Sequence, residues 1–462
     1  MGAQRLTMER TAGERAGSTA PARRCAYAVL RDVFERGARC EAALRKHAGG
    51  LDERDRALAM RLSFGAVQRR ATLDHLIGRL AGRPAGRLDA PLLAALRLGL
   101  YEQLYTAGAP DYAVVGDAVQ LAKESAPRGH GLVNAVLRRA GREGAPALLG
   151  ELADDTPKAA ALMHSHPEWI AQLLWNELGA EDARALMAAD NEPGEVVLRA
   201  NTLRIDATAL AASLPVEAHL DPSLPEAVVL GGPFDAHASA QWERGEFVAQ
   251  SRAAMLPARA LEPQPGERVL DLCAAPGGKT THLAALMGGE GTVVAVEQDP
   301  ARAQALERTL QRLGVPGVSV EVADAREALG GGRTFDRVLV DPPCSGLGTL
   351  QFRADLRWRL TPERPAELAS QQARILAAGA DALRPGGVLV YSTCTISTIE
   401  NERLISAFVD SRGDFQIEDL AAAQQLTGPL AATALSRGHL QTLPHRDHTA
   451  GFFVARLRRR AS

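Results

Sequence analysis

The sequence contains little cysteine, and its cysteines form no recognisable cluster. Five are spread over 462 residues, and no Cys-x-x-Cys pair occurs. An odd, scattered set argues against a disulfide framework and fits a reducing compartment. The usual ligand spacing of a structural zinc site is also missing, so we expect no metal. The cysteines are Cys25, Cys40, Cys273, Cys344 and Cys394.

Long apolar runs are missing from the start of the chain. Residues 1–20 have no stretch that would serve as a signal peptide or membrane anchor, and we expect them to form a disordered tail. We therefore expect a cytoplasmic protein without a membrane partner. The content of 46% hydrophobic and 23% charged residues is typical of soluble globular proteins, and the length favours two or three domains.

Charge is distributed unevenly along the chain. Residues 1–150 carry 24 Lys and Arg against 15 Asp and Glu, whereas the remainder carries 29 against 40. A basic first part beside an acidic second part predicts that the first part meets a polyanion such as RNA. The alternative is that arginine simply solvates helix surfaces.

Hydrophobic periodicity changes along the chain. Apolar residues recur at helical spacing over 22–140, which predicts an all-α domain at 21–145. From residue 267, short β-branched runs alternate with helical segments, which predicts an α/β domain with a doubly wound, mostly parallel sheet at 241–462. The predicted strands are 269–272, 292–296, 318–322, 337–340 and 388–391, with a helix at 301–313.

A glycine turn follows the first of these strands. Two adjacent glycines let the backbone approach a ligand closely, and the helix that they open can meet a negative group. Lys279 stands in this turn although the chain has only four lysines, which favours a need for a compact ammonium beside substrate or cofactor. The turn contains Cys273, Ala274, Ala275, Pro276, Gly277, Gly278 and Lys279.

Acidic residues end the next two strands. Glu297 lies where a carboxylate can bind ribose hydroxyls, and Asp324 lies where it can meet an adenine edge. Together with the glycine turn they predict an adenosine cofactor, with solvated surface acids as the alternative.

Two cysteines end the fourth and fifth strands, in the segments Asp341-Pro-Pro-Cys344-Ser-Gly and Tyr-Ser-Thr-Cys394. Each could be a small buried apolar residue, but each borders a polar turn at the edge where ligands bind. A thiolate has a chemical use there. Cytosine C5 accepts a methyl group only after a nucleophile adds to C6, which is covalent catalysis.

The combination of these three motifs resembles the Sun-type (NSUN) family of RNA cytosine-5 methyltransferases. The helical region resembles the NusB RNA-binding fold, and the two joined resemble the RsmB/Sun branch, which methylates 16S ribosomal RNA. The resemblance implies a Rossmann-like domain at 241–462, a NusB-like domain at 21–145 and, at 146–240, a linker with a small α+β module that contacts RNA. We also expect a cytoplasmic enzyme that acts as a monomer. The residues that carry the NusB resemblance lie at 55–65, 98–104 and 131–139.

The resemblance implies roles for individual residues. Cys394 is expected to attack C6, Cys344 to assist breakdown of the adduct, and Asp341 to contact the cytosine near N3 and the cofactor. S-adenosylmethionine is the implied cofactor, held by the loop from Cys273 to Lys279. Its remaining contacts are implied to be Glu297 at ribose, Asp324 at adenine, Arg302 nearby and Asp341.

The sequence departs from the family pattern at four positions. Glu297 replaces an aspartate, which keeps the carboxylate but lengthens its reach. The others are Pro342 for a common alanine, Ser251 for a frequent acid and Ala450 for the usual aspartate.

Other interpretations remain open at this stage. Asp341-Pro-Pro is similar to the motif of adenine amino-methyltransferases, although Cys344 cannot stack on a base as their aromatic residue does. Pro343-Cys344 also matches the nucleophile of DNA cytosine methyltransferases, and an RNA-binding protein without catalysis is a further alternative. Two pairs of histidines could in principle bind a metal, but neither has a third and fourth ligand at convincing spacing. The pairs are His164 with His166 and His445 with His448.

Overall fold

The computed structural model describes residues 19–327, 332–422, 426, 428–436 and 438–461. Residues 1–18 of the predicted disordered tail lie outside the described residues. The chain forms two compact units. The first consists of residues up to Asn191 together with Arg353–Arg359, and the second consists of Glu192–Phe352 and Leu360–Ser462. The boundary at Asn191 falls within the segment 146–240.

The first unit is helical throughout its described residues, as the periodicity predicts. Helix boundaries follow local chemistry: Pro21 stands in the first turn of the first helix, and Gly37 ends that helix in the left-handed conformation. Leu96 and Leu100 of the central helix are fully buried in the core. The helices are α1 Pro21–Arg36, α2 Cys40–His47, α3 Glu53–Gln68, α4 Arg70–Ala81, α5 Ala90–Tyr105, α6 Asp111–Ser125, α7 His130–Glu143, α8 Ala145–Gly150, α9 Pro157–Met163, α10 Glu168–Leu178 and α11 Ala180–Ala189.

The second unit begins with a small antiparallel sheet and a short helix. The strand order is β2-β3-β1-β4, and Phe247 is buried between the sheet and the helix. The elements are β1 Val196–Ala200, α12 Ala207–Ser213, β2 Ala218–Leu220, β3 Ala227–Leu230, α13 Ala240–Glu243 and β4 Phe247–Ala249. This α+β segment leads directly into the next helix, α14 Arg252–Leu261.

A large sheet dominates the second unit, and the five predicted strands form its parallel part in the order β7-β6-β5-β8-β9. The strands are β5 Arg268–Leu272, β6 Thr292–Glu297, β7 Val318–Val322, β8 Phe335–Val340 and β9 Leu383–Thr393, and the helices beside them are α15 Gly278–Leu286, α16 Pro300–Leu313, α17 Arg364–Ala382 and α18 Glu402–Ser411. The strand order changes direction between the neighbouring strands β5 and β8. At such a switch point, ligands are expected at the carboxyl ends of the strands. The predicted doubly wound fold is confirmed.

Antiparallel strands extend the sheet beyond β9. Strand β13 pairs with β9 and also with β12. Strand β11 pairs with β12, and β10 pairs with another part of β13. The elements are β10 Phe415–Glu418, α19 Pro429–Ala434, β11 Leu435–Ser436, β12 His439–Thr442, α20 Pro444–Asp447 and β13 Phe452–Arg459. Within the described residues, every helix is too short or too polar to cross a bilayer.

Candidate active site

Two thiols meet at the carboxyl edge of the sheet. Strands β8 and β9 are parallel neighbours, with Val340 paired to Tyr391. Cys394 follows β9 directly, and Cys344 lies in the loop after β8. Their sulfur atoms are 3.3 Å apart, within S–H···S hydrogen-bond distance. The sheet topology therefore brings together the two cysteines that the sequence places 50 residues apart.

A buried carboxylate holds the loop that carries Cys344. Glu400 accepts hydrogen bonds from the Ser345 backbone N–H at 2.8 Å, from Ser345 Oγ at 2.5 Å and from Gln372 Nε2 at 2.9 Å. Burial raises the pKa of Glu400, against the opposing effect of these donors. Gln372 also donates to the Pro343 carbonyl, which fixes the loop on both sides of Cys344.

An ion pair lies beside the cysteines. Lys279 Nζ is 2.7 Å from Asp341 Oδ2, and Ser392 Oγ donates to Asp341 Oδ1 at 2.9 Å. The Lys279 ammonium also lies 5.0 Å from the centre of the Phe452 ring. Burial alone would lower the pKa of Lys279, but Asp341, with a further contribution from Cys394, raises it. The ammonium therefore stays charged, and it interacts electrostatically with Cys394.

The two thiols have different electrostatic surroundings. Contact with Cys394, then burial and the carboxylates of Glu400 and Asp341, raise the pKa of Cys344 well above its ordinary value. Lys279, in contrast, interacts favourably with negative charge on Cys394. Of the two thiols, Cys344 is thus the one held in its protonated form.

The predicted glycine turn connects β5 to α15. Gly277 has φ +103°, and a Cβ atom there would lie 2.5 Å from Leu306 Cδ1, so the position needs glycine. Cys273 has φ +65° at the end of β5. Burial raises the pKa of Cys273 to about 12, which disfavours its thiolate at neutral pH. The remaining loop residues, Ala274, Ala275, Pro276 and Gly278, lie between Cys273 and Lys279 at the start of α15.

Glu297 and Arg302 lie beside this loop. Arg302 donates to the Ala275 carbonyl at 2.8 Å, and its guanidinium is 3.4 Å from the Glu297 carboxylate. Asp324 lies two residues past β7, and its carboxylate is paired with Arg326, whose hydrogen bonds lower the pKa of Asp324 to about 2. Among the described residues, Asp324 makes no hydrogen bond to the other predicted site residues.

The sequence prediction missed several side chains at this edge. Asp271 is buried at the end of β5, accepts from Thr280 Oγ1 at 2.6 Å, and burial raises its pKa to about 7. The sequence did contain a signal for Asp271, because an acidic residue is unusual within an apolar strand. Ser392 and Phe452 could not be assigned, because their contacts with Asp341 and Lys279 depend on how β9 and β13 pair. Glu400 could not be assigned either, because its contacts with Ser345 and Gln372 depend on the fold.

A tight backbone contact supports the Cys394 strand end. Gly348 donates to the Cys394 carbonyl at 3.0 Å and accepts from the Gly451 N–H at 2.7 Å. A Cβ atom on Gly348 would lie 2.6 Å from the Gly451 carbonyl carbon, so either segment must move to accept it.

Gly348→Ala is expected to lower the free energy of unfolding by about 1–3 kcal/mol, as overpacking does, and to lower methyl-transfer activity by displacing Cys394. Denaturant unfolding and initial rates measure the two effects. Gly116→Ala is the matched control, because a Cβ atom there meets nothing within 4 Å in the middle of α6. Equal stability of the two variants would contradict this account of the contact.

The histidines that a metal could have used have other contacts. His166 Nε2 lies 3.2 Å from Asp190, and His164 Nε2 lies 3.3 Å from Asp154. Burial lowers the pKa of both histidines. In the part of the chain that the structure describes, no group of three or more potential ligands is placed to hold a metal ion.

The sheet order, the glycine turn and the paired strand-end residues define a Rossmann-like methyltransferase domain. Models of known families match three parts of the chain: the 16S rRNA methyltransferase RsmB/F family over 258–458, the NusB family over 20–142, and the RsmF/B-like ferredoxin-like domain over 166–237. The chain belongs to the RsmB/F methyltransferase family.

Relatives match along almost their full length. A Synechocystis protein named "Probable ribosomal RNA small subunit methyltransferase B" is 36% identical over 95% of this chain and 99% of its own. Ribosomal RNA small subunit methyltransferase B of Klebsiella pneumoniae is 34% identical over 95% and 98%. The crystal structure of a protein named PH0851 superposes with a TM-score of 0.78 at 25% identity, covering 95% of this chain and 99% of that one.

Proposed function

We propose that this protein transfers a methyl group from S-adenosylmethionine to C5 of a cytosine in 16S ribosomal RNA, through a covalent bond between Cys394 and C6. The observation that carries the proposal is the pair of sulfurs 3.3 Å apart at adjacent strand ends, with the Lys279–Asp341 ion pair beside them. The names of the relatives support small-subunit ribosomal RNA as the substrate.

The residues around the glycine turn fit the cofactor. Asp271 Oδ1 is buried and accepts no hydrogen bond among the described residues, and Glu297 Oε2 is buried with the Arg302 guanidinium 3.4 Å away but not hydrogen-bonded to it. Buried carboxylate oxygens normally have a donor, and hydroxyl or ammonium groups of an adenosine cofactor would supply one. Glu297 would hold the ribose, Asp324 the adenine, and the loop from Cys273 to Lys279 the rest. The cofactor, when bound, supplies an electrophilic methyl group.

Cys394 is proposed to start the reaction as a thiolate. Its sulfur forms a bond to C6 of the cytosine, and the electron pair of the C5–C6 double bond makes C5 nucleophilic. The charged Lys279 favours the thiolate, and Asp341 is proposed to contact the cytosine near N3. A thiol of ordinary pKa, about 8.5, is mostly protonated at neutral pH, so this assistance is needed.

Cys344 is proposed to assist the end of the reaction. Once C5 carries the methyl group, loss of the C5 proton to a base restores the double bond and expels the Cys394 sulfur as a thiolate. Cys344 is held as a thiol 3.3 Å from that sulfur, so its S–H can donate a hydrogen bond to the departing thiolate. Without this donor, the adduct should persist.

The position of methylation can be tested with RNA that carries tritium at C5 of cytosine. Transfer to C5 should release one tritium for each methyl group incorporated, because the methyl replaces that hydrogen. RNA labelled only at C5 of uridine is the control and should keep its label. Methyl incorporation with full retention of cytosine tritium would place the methyl elsewhere and overturn the proposal.

A further inference from the structure

The first unit contains a pocket of about 380 Å³ that the proposed chemistry does not use. Leu93 and Arg97 of α5 are buried at its floor. Phe34 of α1 and Trp358 form parts of its wall, and Arg70 and Asp74 of α4 also line it. A volume of this size is within the range of roughly 300–1,000 Å³ that small-molecule sites occupy.

Arginine and aromatic side chains are interleaved in this pocket. The Arg70 guanidinium lies 5.6 Å from the centre of the Phe34 ring and 5.3 Å from the centre of the Trp358 ring. Arg97 lies 4.1 Å from the centre of the Phe34 ring. Flat, delocalised side chains of these kinds are the surfaces on which proteins stack unpaired nucleobases.

All charged side chains that line the pocket have an ionic partner, including Glu35, which pairs with Arg31, and the partner of Arg70 is the most distant. Arg97 makes two hydrogen bonds to Asp74, at 2.7 and 2.8 Å, and Arg359 pairs with Asp355 at 3.2 Å. Arg70 is 3.9 Å from Asp74, which already accepts both bonds from Arg97. Burial, followed by the like charge of Arg97, lowers the pKa of Arg70. An anion at Arg70 would therefore be stabilised.

The wall that contains Trp358 is held in place before any ligand binds. The Trp358 indole N–H donates to the Val67 carbonyl at 2.7 Å, and Asp355 accepts from the Cys40 N–H at 3.2 Å. Arg357 is fully buried and donates to the Asp190 carbonyl at 3.0 Å. A fixed ring binds a base with a small loss of conformational entropy.

We propose that this pocket binds one unpaired nucleotide of RNA, with its base against Phe34 and Trp358 and its phosphate at Arg70. The inference rests on the proposed function, because the substrate RNA supplies the nucleotide. Trp358 belongs to a segment that begins nine residues after Cys344 in sequence. The pocket would thus add a second point of recognition to the RNA, apart from the target cytosine.

Tryptophan fluorescence of the full-length protein tests the proposal without any methyl donor. Titration with a single-stranded RNA oligonucleotide should quench part of the emission, because a base stacks on Trp358. Trp358→Phe should lose that part of the quench and keep RNA affinity within about twofold, because phenylalanine still stacks. Cytidine and adenosine monophosphates, tested separately, should bind far more weakly than the oligonucleotide, since they lack the other phosphate contacts.

Arg70→Gln should weaken RNA binding by about fivefold or more, since it removes the cation whose ionic partner is most distant, together with its stacking surface. Arg83→Gln is the matched control: it removes the same charge from an exposed position in the same unit, outside the pocket, and should change affinity by less than about twofold. Thermal unfolding confirms that both variants fold.

Three results would overturn the proposal: equal RNA affinity of the two arginine variants, an unchanged quench in Trp358→Phe, or mononucleotide binding as tight as RNA binding, which would make the ligand a free nucleotide. These outcomes are separate from the proposed function. Tritium release by the wild-type protein tests methyl transfer alone, and the fluorescence titration tests the pocket alone.

Discussion

Cys394→Ala is expected to abolish methyl transfer, with a loss of roughly 10⁴-fold or more, because the proposed nucleophile is gone and the pKa of the neighbouring Cys344 thiol is raised well above its ordinary value. Cys344→Ala is also expected to turn over poorly, but because release of the covalent adduct is slow rather than because the adduct cannot form. Its Cys394 still adds to the base, whereas the donor 3.3 Å from the departing sulfur is gone. This variant should accumulate a complex of protein and RNA that resists denaturant.

Denaturing electrophoresis with labelled RNA and S-adenosylmethionine distinguishes the two variants. A retarded band should form with Cys344→Ala and not with Cys394→Ala or the double variant. Cys25→Ala is a suitable control for removal of a buried thiol remote in sequence from both, and it should turn over normally. Methyl transfer that survives in Cys394→Ala would contradict the assignment of Cys394 as the nucleophile.

Lys279→Met is expected to lower kcat by roughly 10²–10³-fold, the range seen when one preorganised electrostatic group is removed from an active site. The substitution keeps a long apolar side chain but removes the ammonium that pairs with Asp341 and lies near Cys394. The pKa of Cys394 should rise in the variant, since an opposite charge no longer favours its thiolate.

The rate of Cys394 alkylation by iodoacetamide, followed against pH by peptide mass spectrometry, measures that rise directly. The alkylation profile of Lys279→Met should move to higher pH. Lys279→Arg keeps the charge but not the compact shape and should recover only part of the rate. Lys123→Met, at an exposed position of α6, is the control. An unchanged profile in Lys279→Met would show that Lys279 does not activate this thiol.

The parallel core and its edge residues were predictable from the sequence for a physical reason. Strands buried on both faces leave continuous runs of mostly β-branched residues, such as the one at 292–296, and these are visible without a structure. Functional residues that follow such strands converge, because parallel strands end at one edge. Asp341, Cys344 and Cys394 were therefore assignable together, although their roles depend on the family resemblance.

Features that depend on long-range pairing were not predictable. The strands of the small sheet are three to five residues long, too short for a clear period. Strand β13 alternates weakly and gives no sign of its pairing with β9. Nothing in the composition of Arg353–Arg359 indicates that it belongs with the helical unit, where buried Arg357 has its hydrogen-bond partners.

The most direct test of the central claim is to locate the covalent bond. The complex trapped with Cys344→Ala would be digested with ribonuclease and protease, and the modified peptide sequenced by mass spectrometry. The account predicts a methylated cytidine nucleotide attached to Cys394. Attachment to any other residue, or a complex without a covalent bond, would contradict it.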